Sequence, residues 1–298
     1  MNRRKFIYNS SIASLSVLGL NSCTQLFRDV KITILHSNDV HSQIEPFPLN
    51  HNRFPGRGGF ARRASIFNQI RSVNPNTLIF DAGDIFQGTP YFNFFQGELE
   101  LKLMKEMGYN AATIGNHEFD AGLDILKKNI LSTNFQFIIS NYDFINTELQ
   151  GLTTPYKIYK KEGVKIGVFG LGIELKGLVN PILYKETKYY DPIEISDEMV
   201  KILKDEKKCD LVICVSHLGH KYNSKKISDT KLAQLTSDID LIIGGHTHTF
   251  LNKPVIIKNK KNNNVIINQV GSGGVYLGRI DFNFTNSSKI DTNSLLEV

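Results

Sequence analysis

Short apolar runs alternate with amphipathic stretches along most of the chain. Runs such as 31–35 and 78–80 have the length and apolar character of buried strands, whereas residues 60–73 carry apolar positions at helical spacing. This alternation indicates α/β layering rather than an all-β fold. From residue 255 onward the pattern changes to strands alone, and the polar tail 286–298 is predicted to be loose. The predicted strands are 31–35, 78–80, 109–114, 135–139, 164–170, 211–215, 239–243, 255–257, 265–270 and 276–284, and the predicted helices are 60–73, 93–107, 123–131 and 194–207.

Length and composition fit one large α/β domain, which we place at residues 29–298. The chain has 298 residues, 41% of them hydrophobic and 21% charged, which allows a large core and argues against wholesale disorder. The net charge of +6 comes from lysines scattered among asparagines, as in the run 258–264, which is typical of a solvated hairpin loop. A nucleic-acid-binding protein more often shows arginine clusters interleaved with aromatic residues, so no nucleic-acid partner is expected.

The first 28 residues have the composition of a targeting segment rather than of a folded element. Arg3 and Arg4 open a basic start, and the apolar stretch 12–20 that follows is too short to span a bilayer. Cys23 closes this stretch, which resembles a bacterial export signal ending in a lipobox, and the Arg-Arg-x-Phe pattern resembles the twin-arginine type. We therefore expect residues 1–28 to be an export signal with a short linker. We expect lipidation at Cys23, and a protein that a lipid anchor holds at a membrane in the periplasm or cell envelope.

The other two cysteines, Cys209 and Cys214, lie at the two ends of a predicted strand. Five residues of extended chain separate their Cα atoms by ~16 Å. A disulfide tolerates at most about 7 Å between these atoms. The two thiols are therefore predicted to be free and buried.

Aspartate, asparagine and histidine side chains follow five of the predicted strands. They are Asp39 and His41, Asp84, Asn116 and His117, His217, and His246 and His248. In open α/β sheets ligands bind beyond the carboxyl ends of the strands, where these segments would gather. Residues i and i+2 of an extended chain face the same way, so Asp39 with His41, and His246 with His248, can each converge on one site.

Each of these positions also has a purely structural interpretation. Asn116 can instead cap a helix running from residue 118 to 130, and any one histidine can be a satisfied polar group. Five such segments ending strands in the same polarity make that interpretation improbable for the whole set. A mixed set of nitrogen and oxygen ligands without thiolate favours Zn, Mn, Fe or Co over soft ions or Ca.

The order and spacing of these motifs resemble the calcineurin-like metallophosphoesterases. The segments 37–41, 81–84, 115–120, 216–219 and 245–248 are similar to those of the N-terminal catalytic domain of the bacterial 5′-nucleotidase family, and the likeness runs from about residue 32 to 281. The resemblance implies a four-layer α/β/β/α sandwich that holds two divalent metal ions. By motif position one ion would be held by Asp39, His41, Asp84 and His248, and the other by Asp84, Asn116, His217 and His246. A carboxylate has two oxygens and bridges readily, so Asp84 is the natural shared ligand.

The resemblance also implies a reaction, the hydrolysis of phosphate monoesters, with nucleotides as the expected substrates. Two ions ~3.5–4 Å apart lower the pKa of a bridging water from about 15.7 toward ~7, and the resulting hydroxide attacks the phosphate. His117 would protect or protonate the leaving oxygen, and Asp120 would orient the His117 ring. The alternative is that His117 and Asp120 only support ligands from behind.

Full-length 5′-nucleotidases continue into a second domain whose aromatic residues grip the nucleoside, so the nucleoside-binding residues of this chain are unknown. A separate nucleoside-binding subunit is therefore an expected partner, beside the substrate itself. The alternative activity is that of a phosphodiesterase or nuclease of the same superfamily. Such an enzyme would need an extended basic groove, which the sequence does not show. A non-catalytic lipoprotein using the fold to bind a partner would have no reason to keep seven ligands with His117 and Asp120.

Overall fold

Two six-stranded β-sheets form the centre of the protein. The computed structural model describes residues 29–285 and 288–298, so the predicted signal segment 1–28, with Cys23, lies outside the described residues. The strands are β1 Val30–Ser37, β2 Thr77–Asp81, β3 Ala111–Ala112, β4 Gln136–Phe137, β5 Tyr142–Asp143, β6 Tyr156–Lys161, β7 Val164–Leu171, β8 Lys188–Tyr189, β9 Leu211–Ser216, β10 Leu241–Gly244, β11 Val255–Lys258, β12 Asn264–Asn268, β13 Tyr276–Thr285 and β14 Ser288–Glu297. The first sheet has the order β14-β13-β1-β2-β3-β4, the second has the order β11-β12-β10-β9-β7-β6, and β5 pairs with β8.

Helices connect most of the strands. They are α1 Phe60–Val73, α2 Pro90–Phe95, α3 Glu98–Met107, α4 Leu123–Ser132, α5 Pro181–Tyr184, α6 Pro192–Val200 and α7 Asp229–Leu235, with a 3₁₀ turn at His117–Phe119 and a π-helical continuation of α6 at Lys201–Glu206. Across the part of the chain that the structure describes, no helix is both long enough and apolar enough to cross a membrane.

Alternating side chains of the central strands show that the sheets are stacked between two helical layers. Ile34 of β1 packs in the cluster between the two sheets, whereas its neighbour Leu35 packs against α1, α3 and α4. In the second sheet Ile213 of β9 faces the same inter-sheet cluster, whereas Val212 packs against α6 and α7. Each sheet therefore buries both faces, which explains why its central strands are continuous apolar runs. The predicted four-layer α/β/β/α sandwich is confirmed.

The central strands of each sheet run parallel, and this positions the predicted motifs. In the first sheet β1, β2, β3 and β4 are parallel neighbours. In the second sheet β7, β9, β10 and β12 are parallel neighbours. Because parallel strands end at the same edge of a sheet, the loops after β1, β2 and β3 lie side by side, as do those after β9 and β10.

Several element boundaries differ from the sequence prediction. The predicted helix 93–107 is broken, because Gln96 and Gly97 adopt left-handed conformations with φ of 50° and 90°. The predicted strands 109–114 and 135–139 keep only two residues each of regular pairing. The length of β3 and β4 is set by how many of their residues pair with a neighbouring strand, and not by the length of the apolar run.

The prediction of a loose tail over 286–298 is wrong. Residues Ser288–Glu297 form β14, which pairs antiparallel with β13 over its whole length. This pairing gives hydrogen-bond partners to the main-chain N–H and C=O groups on the outer side of β13. The polar composition of the tail does not indicate these hydrogen bonds. The predicted hairpin around residues 258–264 is present, between β11 and β12. The free, buried state predicted for Cys209 and Cys214 is confirmed.

Candidate metal centre

The side chains predicted from the five strand ends lie together where the two sheets meet. Loops after β1, β2, β3, β9 and β10 carry them. Two groups have the arrangement of metal ligands, with one donor atom from each residue and all donor atoms of a group within 4.8 Å of one another. The first group is Asp39, His41 and His248, and the second group is Asp84, His217 and His246.

The first group is built around the contact between two imidazoles. The Nε2 atoms of His41 and His248 are 2.9 Å apart, and His248 Nε2 is 3.5 Å from Asp39 Oδ1. His41 Nδ1 lies 3.3 Å and 3.1 Å from the carbonyl oxygens of Phe86 and Gln87, which makes Nδ1 the protonated nitrogen. The lone pair of His41 is then on Nε2, directed at His248 and Asp39, as expected for a metal ligand.

The second group is more deeply buried. His217 Nδ1 donates to the carbonyl oxygen of Ala82 at 2.6 Å, which places the lone pair of the neutral ring on Nε2. This buried Nε2 atom is 3.0 Å from Asp84 Oδ2 yet makes no hydrogen bond. Asn116 joins the group, because its Oδ1 is 2.8 Å from His246 Nδ1. The amide predicted to ligate the second ion therefore lies beside the second group.

The backbone of the ligand loops is strained. Five residues of the two groups have positive φ, at 49° for Asp39, 51° for His41, 54° for Asp84, 70° for His246 and 50° for His248. A left-handed conformation costs an L-residue roughly 1–2 kcal/mol, so it persists only where the surroundings enforce it.

This conformation overturns one geometric expectation. His246 and His248 do not converge on one group: each belongs to a different one, as motif position implied. Thr247 N–H donates to the carbonyl oxygen of Gly245 at 2.9 Å, so the segment is a tight turn, and the extended-chain rule for residues i and i+2 does not apply.

Glu118 is a functional residue that sequence reasoning did not single out. Its buried carboxylate accepts four main-chain N–H groups, from Asp84 at 3.0 Å, Ile85 at 2.7 Å, Phe86 at 3.3 Å and Gly115 at 2.6 Å. It therefore ties the loop of Asp84 to the loop that carries the predicted Asn–His pair. The available signal was a carboxylate directly after that pair, and three of its four partners are more than thirty residues away in the chain.

Only glycine fits where these two loops meet. A Cβ atom on Gly115 would lie 2.6 Å from the main-chain nitrogen of Asp84 and 2.8 Å from His217 Cε1. Both distances are far inside van der Waals contact, and the first involves backbone that cannot rotate away. The glycine of the Gly-Asn-His-Glu motif is thus required by the approach of the two loops.

Asn38 and Gln269 hold the opposite side of the centre. Asn38 Nδ2 donates to Asp39 Oδ2 at 2.6 Å and to the carbonyl oxygen of Gly271 at 2.7 Å. Gln269 Oε1 accepts the N–H of Thr249 at 2.5 Å, and its Nε2 donates to the carbonyl oxygen of Gly245. These amides connect the loops after β1 and β10 to the strand-only region after β12, whose role the sequence did not indicate.

His117 and Asp120 form a pair beside the two groups. His117 Nδ1 is 2.7 Å from Asp120 Oδ2, and the His117 ring centroid is 5.2 Å from that of His41. Burial lowers the pKa of His117, but the Asp120 hydrogen bond and the charge of Asp84 raise it above its usual value. Asn116 and His117 point to different partners because they start a 3₁₀ turn, and not because they alternate along a strand. The alternative in which Asn116 caps a helix is wrong, since its side chain makes no capping bond and α4 begins after Gly122.

Buried carboxylates and imidazoles shift one another's pKa values in the two ligand groups. Burial raises the pKa of Asp39 well above its usual value, and the charge of Asp84 adds to this although His217 opposes it. Burial is the largest single influence on His217 and lowers its pKa, but the neighbouring carboxylates Asp84 and Asp39, with the Ala82 carbonyl, together raise it to about 10. Burial and the charge of His217 together lower the pKa of His246 to about 3, which keeps that ring in the neutral, ligating form.

The residues present fit two divalent ions. Buried carboxylates beside imidazoles need a compensating cation, and a bound ion shifts such titrations strongly. The donors are imidazole nitrogens and carboxylate and amide oxygens, a set suited to Zn, Mn, Fe or Co. His217 Nε2, buried and without a hydrogen bond, is the atom that most directly lacks such a partner.

Comparison with known proteins places the same segment in a family. The family model for calcineurin-like phosphoesterase matches residues 32–250, which contain both ligand groups, Asn116 and the His117–Asp120 pair. The chain is similar to a snake venom 5′-nucleotidase of Gloydius brevicauda, with 30% identity over 289 residues, 89% of this chain and 47% of that protein. It is similar to a 5′-nucleotidase of Vibrio cholerae, with 32% identity over 284 residues, 86% of this chain and 49% of that protein. The chain thus spans about half the length of these relatives.

Solved structures show the same relation. The structure of a 5′-nucleotidase precursor from Thermus thermophilus matches with a TM-score of 0.79 and 28% identity, over 90% of this chain and 55% of that chain. The structure of the Haemophilus influenzae NAD nucleotidase matches with a TM-score of 0.75 and 27% identity, over 90% of this chain and 49% of that chain.

Proposed function

This chain belongs to the calcineurin-like phosphoesterase family, and on that premise we propose that it hydrolyses phosphate monoesters, nucleotides first among them, with two divalent metal ions. The family resemblance of the motifs is confirmed by the match over residues 32–250. The observation that carries the proposal is the pair of ligand groups, which adjoin each other and the His117–Asp120 pair. His246 N–H donates to both oxygens of Asp39, at 2.9 Å and 3.0 Å, and so joins the two groups.

The proposed ligand sets extend these groups by the motif positions. Asp39, His41, Asp84 and His248 would hold one ion, and Asp84, Asn116, His217 and His246 would hold the other. When bound, such ions activate a water as nucleophile and neutralise the phosphate oxygens, which is the largest demand of this slow reaction. The chain's own contribution is to fix the donors beforehand: main-chain carbonyls orient His41 and His217, and Glu118 sets the spacing of two loops.

His117 is proposed to act on the leaving oxygen. Its Nδ1 is engaged by Asp120, which leaves Nε2 for the substrate, and its raised pKa suits a proton donor. Its main-chain N–H donates to Asp84 Oδ1 at 2.9 Å, so the ring has a defined position relative to the second group. Asp120 is the residue that orients the ring, and the proton on Nε2 passes to the departing alkoxide.

The choice of nucleotides as substrates is supported by the relatives, several of which are named 5′-nucleotidases. The chain spans about half the length of those relatives, and the residues that would contact the nucleoside are not assigned. The metal centre recognises the phosphate that all esters share, so these residues by themselves should hydrolyse small aryl phosphates readily and discriminate little among nucleotides.

The location proposed for this activity is the periplasm or cell envelope. The support is the sequence of residues 1–28, with its paired arginines, short apolar stretch and Cys23. Lipid on Cys23 would hold the catalytic domain at a membrane face.

Hydrolysis of three substrates tests the proposal, measured as phosphate released from AMP and as p-nitrophenol released from p-nitrophenyl phosphate and bis-p-nitrophenyl phosphate. With Mn²⁺, p-nitrophenyl phosphate should be hydrolysed readily and AMP more slowly, and a chelator should abolish both activities. Faster release of p-nitrophenol from bis-p-nitrophenyl phosphate than from the monoester would replace the monoesterase with a phosphodiesterase. A protein that binds two ions but hydrolyses none of the three substrates would leave a partner-binding role for the fold.

A further inference from the structure

A buried serine ends the strand that delivers His217. Ser216 is the last residue of β9, and its Oγ donates to Asp229 Oδ1 at 2.6 Å. The same hydroxyl accepts the N–H of Leu218 at 3.2 Å, so it closes a tight turn with His217 at its centre. Because a hydroxyl has one proton, the acceptor that Asp229 provides determines which way its lone pairs point. The turn around His217 therefore depends on Asp229.

Asp229 is attached to both ends of this turn. It is the first residue of α7, and its main-chain N–H donates to the carbonyl oxygen of Gly219 at 2.8 Å, while its carboxylate binds Ser216. The side chains of Asp229 and Ser216 are fully buried. Leu232 of the same helix packs in the core cluster on the outer face of the second sheet. The segment 216–219 is thus bonded at both ends to a helix that the core holds in place.

The second carboxylate oxygen of Asp229 lies against the end of β10. Ser216 and Gly244 are register partners in the parallel pair β9–β10, so Asp229 spans both strand ends. A Cβ atom on Gly244 would overlap Asp229 Oδ2 and would lie 3.3 Å from its Cγ, so the glycine leaves the space that the carboxylate occupies. His217 comes directly after one strand end and His246 two residues after the other. Both strand ends therefore lead into ligands of the second group.

Asp229 is not itself one of the ligands. Among the described residues it belongs to neither ligand group, and its Oδ2 is buried without a hydrogen-bond partner. An apolar side chain would fill the same place without the free-energy cost of burying a carboxylate. What a carboxylate adds is an acceptor for the Ser216 hydroxyl, so stability alone does not account for this residue.

We propose that Asp229 and Ser216 are positioning residues for the second ion. Asp229 fixes the hydroxyl of Ser216, which in turn fixes the turn around His217. The contact with Gly244 fixes the start of the segment that carries His246. The inference rests on the proposed function and deepens it, because it names side chains that set the geometry of one ion without contacting either ion.

Loss of the Ser216 hydroxyl tests the proposal, and the chain offers a matched control. Ser196 of α6 is also fully buried and also donates at 2.6 Å, to the carbonyl oxygen of Pro192. In competition with a metallochromic chelator, Ser196→Ala should bind two Co²⁺ ions as the wild type does, whereas Ser216→Ala should bind one of the two about tenfold more weakly. Asp229→Ala should have the same effect. The double variant should lose no further affinity, because the two side chains act as one unit.

Variants of the ligands identify which ion is weakened. His41→Ala removes a donor of the first group only, so in this background Ser216→Ala should weaken the remaining ion about tenfold. His217→Ala removes a donor of the second group, and in that background Ser216→Ala should change nothing. Equal affinities of Ser216→Ala and Ser196→Ala would overturn the proposal, as would an effect in the His217→Ala background as large as in the His41→Ala background.

A signal of the metal-free protein separates this inference from the proposed function. The Nδ1–H of His217 is buried and donates to the carbonyl oxygen of Ala82 at 2.6 Å, so NMR of labelled histidine should show a slowly exchanging proton. Ser216→Ala should speed its exchange about tenfold, and Ser196→Ala should leave it unchanged. If the wild type binds fewer than two ions but this selective change appears, the two-metal proposal fails and the positioning role stands. Unchanged exchange in Ser216→Ala would overturn the positioning role whatever the metal content.

Discussion

Replacement of Glu118 by glutamine tests whether one buried carboxylate assembles the metal centre. Oε1 accepts N–H groups from Ile85 and Phe86, and Oε2 accepts them from Asp84 and Gly115. Glu118→Gln keeps the shape of the side chain but exchanges one oxygen for an amide nitrogen. Two of the four main-chain donors then face another donor, and the other two bind a neutral oxygen.

The size of the effect follows from this count. Hydrogen bonds to a charged group contribute about 1.5–3 kcal/mol each, and a buried donor left unpaired costs about 1–3 kcal/mol. Two lost bonds therefore correspond to at least about 3 kcal/mol, part of which is offset because Glu118 itself is costly to bury. Burial first, and then the charge of Asp84, raises the pKa of Glu118 above its usual value, in agreement with that cost. For a domain of this size about 3 kcal/mol lowers Tm by roughly 6–12 °C.

Thermal unfolding in chelator measures this loss without the contribution of metal binding. Competition with a metallochromic chelator should also show metal affinity reduced by about 10–100-fold, because the loops of Asp84 and Asn116 are no longer held together. The matched control is Glu106→Gln, an exposed glutamate of α3 that should change neither quantity. If Glu118→Gln unfolds with the control and binds metal equally well, the four hydrogen bonds do not organise the centre.

Four further predictions address the remaining parts of the molecule. His117→Ala should retain both ions yet lower turnover by ~10²–10⁴, and release of an ion would make His117 a ligand instead. Asp84→Asn should reduce the metal content measured by elemental analysis more than any other ligand change, since both ions lose a donor; unchanged content would contradict a shared carboxylate. Cys23→Ser should move the protein to the soluble fraction or leave an unprocessed precursor, whereas unchanged fractionation and processing would exclude a lipid anchor at this residue. Burial lowers the pKa of His36 to about 3, so the folded state keeps it neutral and stability falls as pH drops below ~6.5. That loss is about 2–3 kcal/mol between pH ~6.5 and ~4.5, and His36→Gln should flatten the pH dependence of unfolding over this range; equal slopes would show that His36 is not buried neutral.

The ends of the strands that deliver the ligands could be read from the sequence. The runs before Asp39, Asp84, His217 and His246 are the strands β1, β2, β9 and β10, which are buried almost throughout. Such strands lie between two layers, and the hydrophobic effect demands apolar residues on both faces, so each strand leaves a continuous apolar run that stops at the loop. Parallel neighbours in a layered α/β fold then bring these loops to one edge, which is why the candidate site was also predictable.

The arrangement of the ligands within that edge was decided by tertiary structure. His246 and His248 are two residues apart, yet the backbone has positive φ at both positions and their side chains lie in different ligand groups. The strain of these conformations is outweighed by hydrogen bonds from distant segments, such as the bonds between His246 N–H and Asp39. Sequence spacing describes an extended chain and carries no information about such bonds.

The same reason explains the features that the sequence concealed. Glu118 has polar partners from a loop after another strand, and β14 exists because β13 offers an unpaired edge. Local propensity and hydrophobic pattern are properties of neighbours in the chain, whereas these contacts join residues that only the folded sheets bring together.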